Sequence, residues 1–254
     1  MKIYAWNMLY RNLEQDRAFA FISELEFNVL CLQEVPKAFL SRLSTLPYNV
    51  VSSLDVELTR GERSFTLHNV ILTPHPIRAS KTFEIPVLTL SLRSKLCLLL
   101  KEGWTNLTRR QGIFADIGFP SGDVRVFSVH LAVLSPSARA KDFQVVASQL
   151  RKNEDAVLAG DFNIIEHPLT KAFGWFFGAP LSEVLPWKDE RHEVERLFQG
   201  WELQNPLRGK ITHTASLSQL DHICVPRRAT ILRAAVLKDT YGSDHKPVFV
   251  EFAL

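Results

Sequence analysis

Cysteine is scarce. The chain of 254 residues has three, Cys31, Cys97 and Cys224, each inside an apolar run. An odd number cannot all pair, so a disulfide-stapled scaffold is excluded and a reducing, cytoplasmic interior is the expected home. Charge of one sign is also lacking: 30 Lys+Arg against 27 Asp+Glu leave +3. That is too little to hold a polyanion by charge alone, so any such affinity must be local. Long hydrophobic runs are missing as well. The sequence reaches Asn7 before any stretch long enough for a secretory signal, and the longest apolar region, Ile85 to Leu100, is broken by Arg93 and Lys95. No transmembrane segment is expected. With 11 Gly and 13 Pro, no repeat of fixed period and no low-complexity linker, one monomeric domain over 1–254 is the simplest organisation.

What the chain does have is material for a core, with 46% hydrophobic and 22% charged residues. Strand-like runs rich in Val, Ile, Leu and Phe cover 2–6, 28–33, 48–53, 64–73, 95–100, 112–118, 123–129, 156–160, 222–226, 229–237 and 247–253. The run from Gly112 to Val129 reads as a hairpin closed around Pro120 to Asp123. Helical spacing joins Ala18, Phe19, Ile22, Leu25 and Val29. A second helix is expected from a Ser135 cap with Pro136 in the first turn, striped by Phe143, Val146, Ala147 and Leu150, and a third from about Lys188 to Phe198. Many strands among few helices predict an α/β layered fold with mixed sheets.

Several of these runs end in groups that bind metal or move protons. Asn7, Gln33 and Glu34, His130, and Asp161 with Asn163 stand at carboxyl ends. Asp221 with His222, and Asp244 with His245, stand at amino ends. If the latter strands run antiparallel to the former, all reach one sheet edge. Carboxylates about 4 Å apart repel by roughly 4 kcal/mol at an effective dielectric near 20. Glu34, Asp161, Asp221 and Asp244 therefore need a cation or raised pKa values to share a site. An oxygen-rich set favours Mg²⁺ or Mn²⁺ over zinc. Singly, each has a plain reading: Gly160 and Asp161 a turn, Asn163 an Asx cap, Glu34 a helix start before Pro36, and Asp244 and His245 a solvated loop. His222 is expected to be structural, since alternation turns it away from Asp221.

The segments WNM (6–8), LQEV (32–35), VHL (129–131), GDFN (160–163), LDHI (220–223) and SDHKPV (243–248) occur together, in an order and spacing that resembles the endonuclease/exonuclease/phosphatase superfamily. HNVILTPHPI (68–77) is similar to an internal strand of that family, with His68 where a glycine is expected. The resemblance implies a deoxyribonuclease I-like, four-layer sandwich of two mixed β-sheets packed face to face, with helices on the outer faces. It also implies a Mg²⁺- or Mn²⁺-dependent phosphoesterase. Glu34 would be the principal metal ligand, with Asn7 and Asp244 beside the ion. Asp161 would orient or deprotonate the attacking water, and Asn163 would hold a phosphate oxygen. His245, oriented by Asp221, would contact the scissile phosphate, and His130 would support the phosphate or the leaving group. Which histidine donates a proton stays open.

The substrate class is read from weaker signals. Arg109, Arg110, Arg208, Lys210, Arg227 and Arg228, with Trp104 or Trp201 for stacking, suit DNA or RNA, which is the expected substrate. The aromatics between Leu169 and Trp187, namely Phe173, Trp175, Phe176, Phe177 and Trp187, suit an inositol phosphate or phospholipid as the alternative, although burial against the sheet is the commoner fate of such rings. An inactive binding protein ranks last, because none of the central residues is replaced.

Overall fold

A computed structural model describes residues 1–87, 92–133, 135–151, 154–167, 175 and 190–254, without the side chains of 97, 101 and 102. Strands β1 (Lys2–Asn7), β2 (Val29–Pro36), β3 (Asn49–Arg60), β4 (Arg63–Thr73), β5 (Ile77–Glu84), β6 (Asn106–Phe119), β7 (Gly122–His130), β8 (Ala156–Asp161), β9 (Leu203–Gln204), β10 (Asp221–Pro226), β11 (Thr230–Val236) and β12 (Val248–Ala253) alternate with helices. These are α1 (Gln15–Glu24), α2 (Lys37–Leu43), α3 (Leu92–Glu102), α4 (Pro136–Gln149) and α5 (Glu190–Gly200). The strand order is β11-β12-β1-β2-β4-β3-β6-β7-β8-β10-β9, with β5 on β6. Pairs β1/β2 and β7/β8 are parallel, whereas β12/β1 and β10/β8 are antiparallel. The expected pair of sheets is joined where β3 pairs with both β4 and β6. The result is one large, curled, mixed sheet.

Alternation decides which residues face the middle. Ile3 and Ala5, Val29 and Cys31, and Ile71 share one apolar cluster with Ala115, Val126, Val157, Ala159 and Ile223. The opposite faces are covered by helices. Ala18, Ile22, Phe39 and Leu43 pack with Tyr4, Trp6, Leu30 and Leu32, and Phe143, Val146, Val194 and Phe198 pack with Phe127, Val129 and Leu158.

Local signals act as the sequence predicts at two places. The Ser135 hydroxyl accepts from the Ala138 N–H at 3.1 Å with Pro136 in the first turn, and β6 and β7 pair down to Phe119 and Gly122 around Pro120 and Ser121. Elsewhere the reading is corrected. The run 95–100, expected as a strand, lies in α3: an apolar run this short carries no decisive period, and its leucines are good helix formers. The third expected helix is present over Glu190–Gly200, and Lys188 lies outside the described residues. Apart from Trp175, the aromatic segment between Leu169 and Trp187 lies outside the described residues. No described helix is long and apolar enough to cross a membrane.

Candidate active site

The inward faces change character at a single edge. Along β1, Ile3 and Ala5 lead to Asn7; along β8, Val157 and Ala159 lead to Asp161; along β10, Ile223 leads to Asp221. Register then brings these ends together. His130 pairs with Asp161 in parallel, Asp221 with Asp161 antiparallel, and Asn7 with Gln33. Glu34 should point away from this edge, because Gln33 takes the inner position and bonds Ser128 at 3.0 Å. A register shift between Leu32 and Val35, with Glu34 at φ 55°, re-aims it. Gly160 is required where β8 meets β7: at φ 138° an added Cβ would lie 1.9 Å from the Val129 carbonyl oxygen.

The side chains form one network. Asn7 Nδ2 donates to Glu34 Oε1 and to Asp161 Oδ2, both at 3.0 Å. The Asn163 N–H donates to Asp161 Oδ1 at 2.9 Å, and Asn163 Nδ2 donates to the Leu131 carbonyl at 3.0 Å. His245 Nδ1 meets Asp221 Oδ2 at 2.8 Å, and His130 Nδ1 meets Asp55 Oδ2 at 2.9 Å. Both rings thereby aim Nε2 at Asp161 Oδ2, each at 3.7 Å. Burial works against charge on each ring, but the surrounding carboxylates outweigh it. Asp55 and Asp161 push His130 up to about 9, and Asp221 and Asp161 push His245 up to about 10. Burial raises Glu34, against the pull of His130, and raises Asp221, against the pull of His245.

Asp244 sits at the outer side, half exposed. Its Oδ2 is 3.4 Å from His213 Nε2, and its Oδ1 is 3.9 Å from His245 Nε2. Burial tends to raise it, but the His213 bond and the two histidines leave it lowered. Among the described residues, the His, Cys, Asp and Glu groups of three within 4.8 Å are His213–Asp244–His245 and Asp161–Asp221–His245. Glu34 belongs to neither, and it reaches Asp244 through Asn7, Asp161 and His245.

Four residues of this network were not singled out from the sequence. Asp55 is buried at a register shift in β3 and accepts from the Glu34 N–H at 3.3 Å as well as facing His130. Thr212 Oγ1 accepts the N–H groups of Leu220 and Asp221. Ser243 donates to the Asn7 carbonyl at 2.7 Å and accepts the His245 N–H at 3.0 Å. His213 holds Asp244. Only Asp55 left a signal, an acid just beyond the strand-like run 48–53. His68 turns to the Val35 carbonyl. His222 faces away from the site, stacked on Phe162 and beside Arg191, with burial and the Arg191 charge holding it well below the usual imidazole range.

The expected basic track is not assembled. Arg110 is buried against Asp142 at 2.9 Å, and Arg109 pairs with Glu84. Arg227 and Arg228 follow the Pro226 end of β10, opposite Asp221, where Arg228 pairs with Asp155. Trp201 packs on Phe143 and Phe198.

The family model described as Endonuclease/Exonuclease/phosphatase family matches residues 4–245. Among solved structures, an endonuclease/exonuclease/phosphatase from Beutenbergia cavernae aligns with a TM-score of 0.73 at 18% identity, over 100% of this chain and 71% of that one. A mannosyl-6-phosphatase from Bacteroides thetaiotaomicron gives 0.65 at 17% identity, over 100% of both chains. A 3′ phosphatase from Neisseria, bound to a product DNA hairpin, gives 0.63 at 17%, again over 100% of both. At such identities the likeness is one of fold. Comparison with curated proteins found no match.

Proposed function

Because the chain belongs to the endonuclease/exonuclease/phosphatase family, we propose that it is a divalent-metal-dependent phosphoesterase that cleaves a phosphodiester of DNA or RNA by in-line attack of water. The observation that carries this reading is Asp161 Oδ2 lying 3.7 Å from the Nε2 atoms of two imidazoles, each held from behind by a carboxylate. A base and two oriented cations at one point suit a phosphate that receives a nucleophile on one side and releases an alkoxide on the other.

The donor set fits a hard cation. Glu34, Asp55, Asp161, Asp221 and Asp244 are five carboxylates around two raised imidazoles, an excess of negative charge made of oxygens. Glu34, with Asn7 beside it and Asp244 across His245, would hold Mg²⁺ or Mn²⁺. When bound, such an ion would supply positive charge that offsets the charge developing on the phosphate. Asp161 takes the proton of the attacking water. Asn163, with one amide N–H on Leu131, has a second to offer a nonbridging oxygen. His245 and His130, kept protonated and oriented by Asp221 and Asp55, present Nε2–H to the phosphate. The nucleic-acid substrate is supported by the DNA-bound relative. The reading includes a single domain that acts as a monomer in the cytoplasm, with the two halves of the sheet and their covering helices as four layers.

The test is hydrolysis of bis(p-nitrophenyl) phosphate. Turnover with Mg²⁺ or Mn²⁺ that a chelator abolishes is expected, and metal-independent turnover contradicts the proposal. A panel of DNA, RNA, inositol phosphates and phospholipid vesicles then fixes the substrate, and activity confined to the last two overturns the nucleic-acid assignment.

A further inference from the structure

Glu34 marks the inner end of a row of rings. The Tyr10 N–H donates to Glu34 Oε2 at 3.3 Å. The Tyr10 ring lies 5.6 Å from that of Phe65, and Phe65 lies 5.9 Å from Trp104 with planes 17° apart. The rings come from three places: the turn after β1, the start of β4, and the residue two before β6. All three are half-buried, and none belongs to any of the three apolar clusters of the described residues. Core packing therefore does not account for them.

Near-parallel planes with centroids 5.9 Å apart are well beyond the face-to-face contact of about 3.5–4.0 Å. The Phe65 and Trp104 rings are thus offset, and they widen one π-surface in place of hiding each other. Phe65 shares its side of β4 with Asn69, which bonds Asp55 in the site. The surface consequently leads from the site out along the β3–β4 hairpin. An arginine stands at each end. The Arg11 guanidinium is 5.2 Å from the Tyr10 ring centroid, and Arg60 donates to the carbonyl of Gly103, next to Trp104.

We propose that Trp104, braced by Phe65 and Tyr10, is a stacking subsite for a base of a single-stranded nucleic acid whose scissile phosphate lies at Glu34 and Asp161. The proposal rests on the nucleic-acid reading given above. Every base offers a π-face, so a ring platform of this kind grips a strand without reading its sequence, while arginines serve the phosphates. A lipid surface would call for fully exposed apolar side chains, and these rings are half-buried beside cations.

The experiment uses the full chain with Trp104→Ala, Trp104→Phe and Phe65→Ala. In chelator, a short oligothymidylate should quench tryptophan fluorescence, with most of the quenching absent from Trp104→Phe. Binding should weaken about tenfold in Trp104→Ala and much less in Trp104→Phe. With metal, the rise in KM for the oligonucleotide should exceed that for bis(p-nitrophenyl) phosphate at least severalfold. Equal oligonucleotide affinity in all variants overturns the proposal. So does Trp104-dependent quenching by phosphatidylcholine–phosphatidylserine vesicles without quenching by the oligonucleotide. Should Trp104→Ala misfold, the quenching difference in Trp104→Phe decides. Failure of the wild type on the small diester would count against the hydrolase reading alone, because oligonucleotide quenching in chelator is read without turnover.

Discussion

Both oxygens of Asp161 are engaged, one by the Asn163 N–H and the other by Asn7 Nδ2 in front of two imidazoles. Asp161→Asn keeps the shape but removes the proposed base and sets an amide against the Asn7 amide. Turnover of a small diester should fall about 10²- to 10⁴-fold with the thermal midpoint little changed, and a rate near wild type would refute the role given to Asp161. One position earlier the constraint is steric. Gly160→Ala places a methyl against a backbone oxygen at a φ that L residues rarely adopt. It should cost more than about 2 kcal/mol, read as a fall in the urea midpoint. An unchanged midpoint would mean that the Val129 peptide moves aside.

At the scale of elements, α4 is held at its start by one hydroxyl. Ser135→Ala should destabilise the protein by about 1 kcal/mol, and a urea titration showing no loss would deny the cap its contribution. That cap was legible in the sequence because Ser-Pro before a helical stripe is a purely local signal. The strands bearing Asn7, His130, Asp161 and Asp221 were legible for a similar reason: alternation and β-branched runs carry their own period. What escaped depends on pairing. Glu34 reaches the site through a register shift that only the β4 partner defines, and Asp55 lies at another. Residues 95–100 read as a strand because composition without period cannot choose between two elements. β5 was missed because its largely exposed face lacks apolar alternation. The arginine pairs looked like a phosphate track until tertiary partners, Asp142 for Arg110 and Asp155 for Arg228, absorbed them.

The molecule as a whole gathers carboxylates that raise two imidazoles, and this makes its stability depend on pH. An unfolded chain releases those protons near pH 6.5, whereas the folded chain keeps them until about 9 on His130 and about 10 on His245. Their contribution is therefore complete below about pH 6.5 and is lost as pH rises through the folded values. In chelator, the urea midpoint should fall between about pH 7 and about pH 10, and Asp221→Asn should flatten the upper part of that fall. A level profile in the wild type would show that the rings are not held charged. One further consequence follows from the pairing of β1 with β12 and from the bond of the Trp6 indole to the His245 carbonyl. A chain still emerging from the ribosome holds Asn7 long before His245 exists to meet it. The candidate site is therefore complete only after His245 and β12 have been made, so its assembly waits for nearly the whole of the matched span.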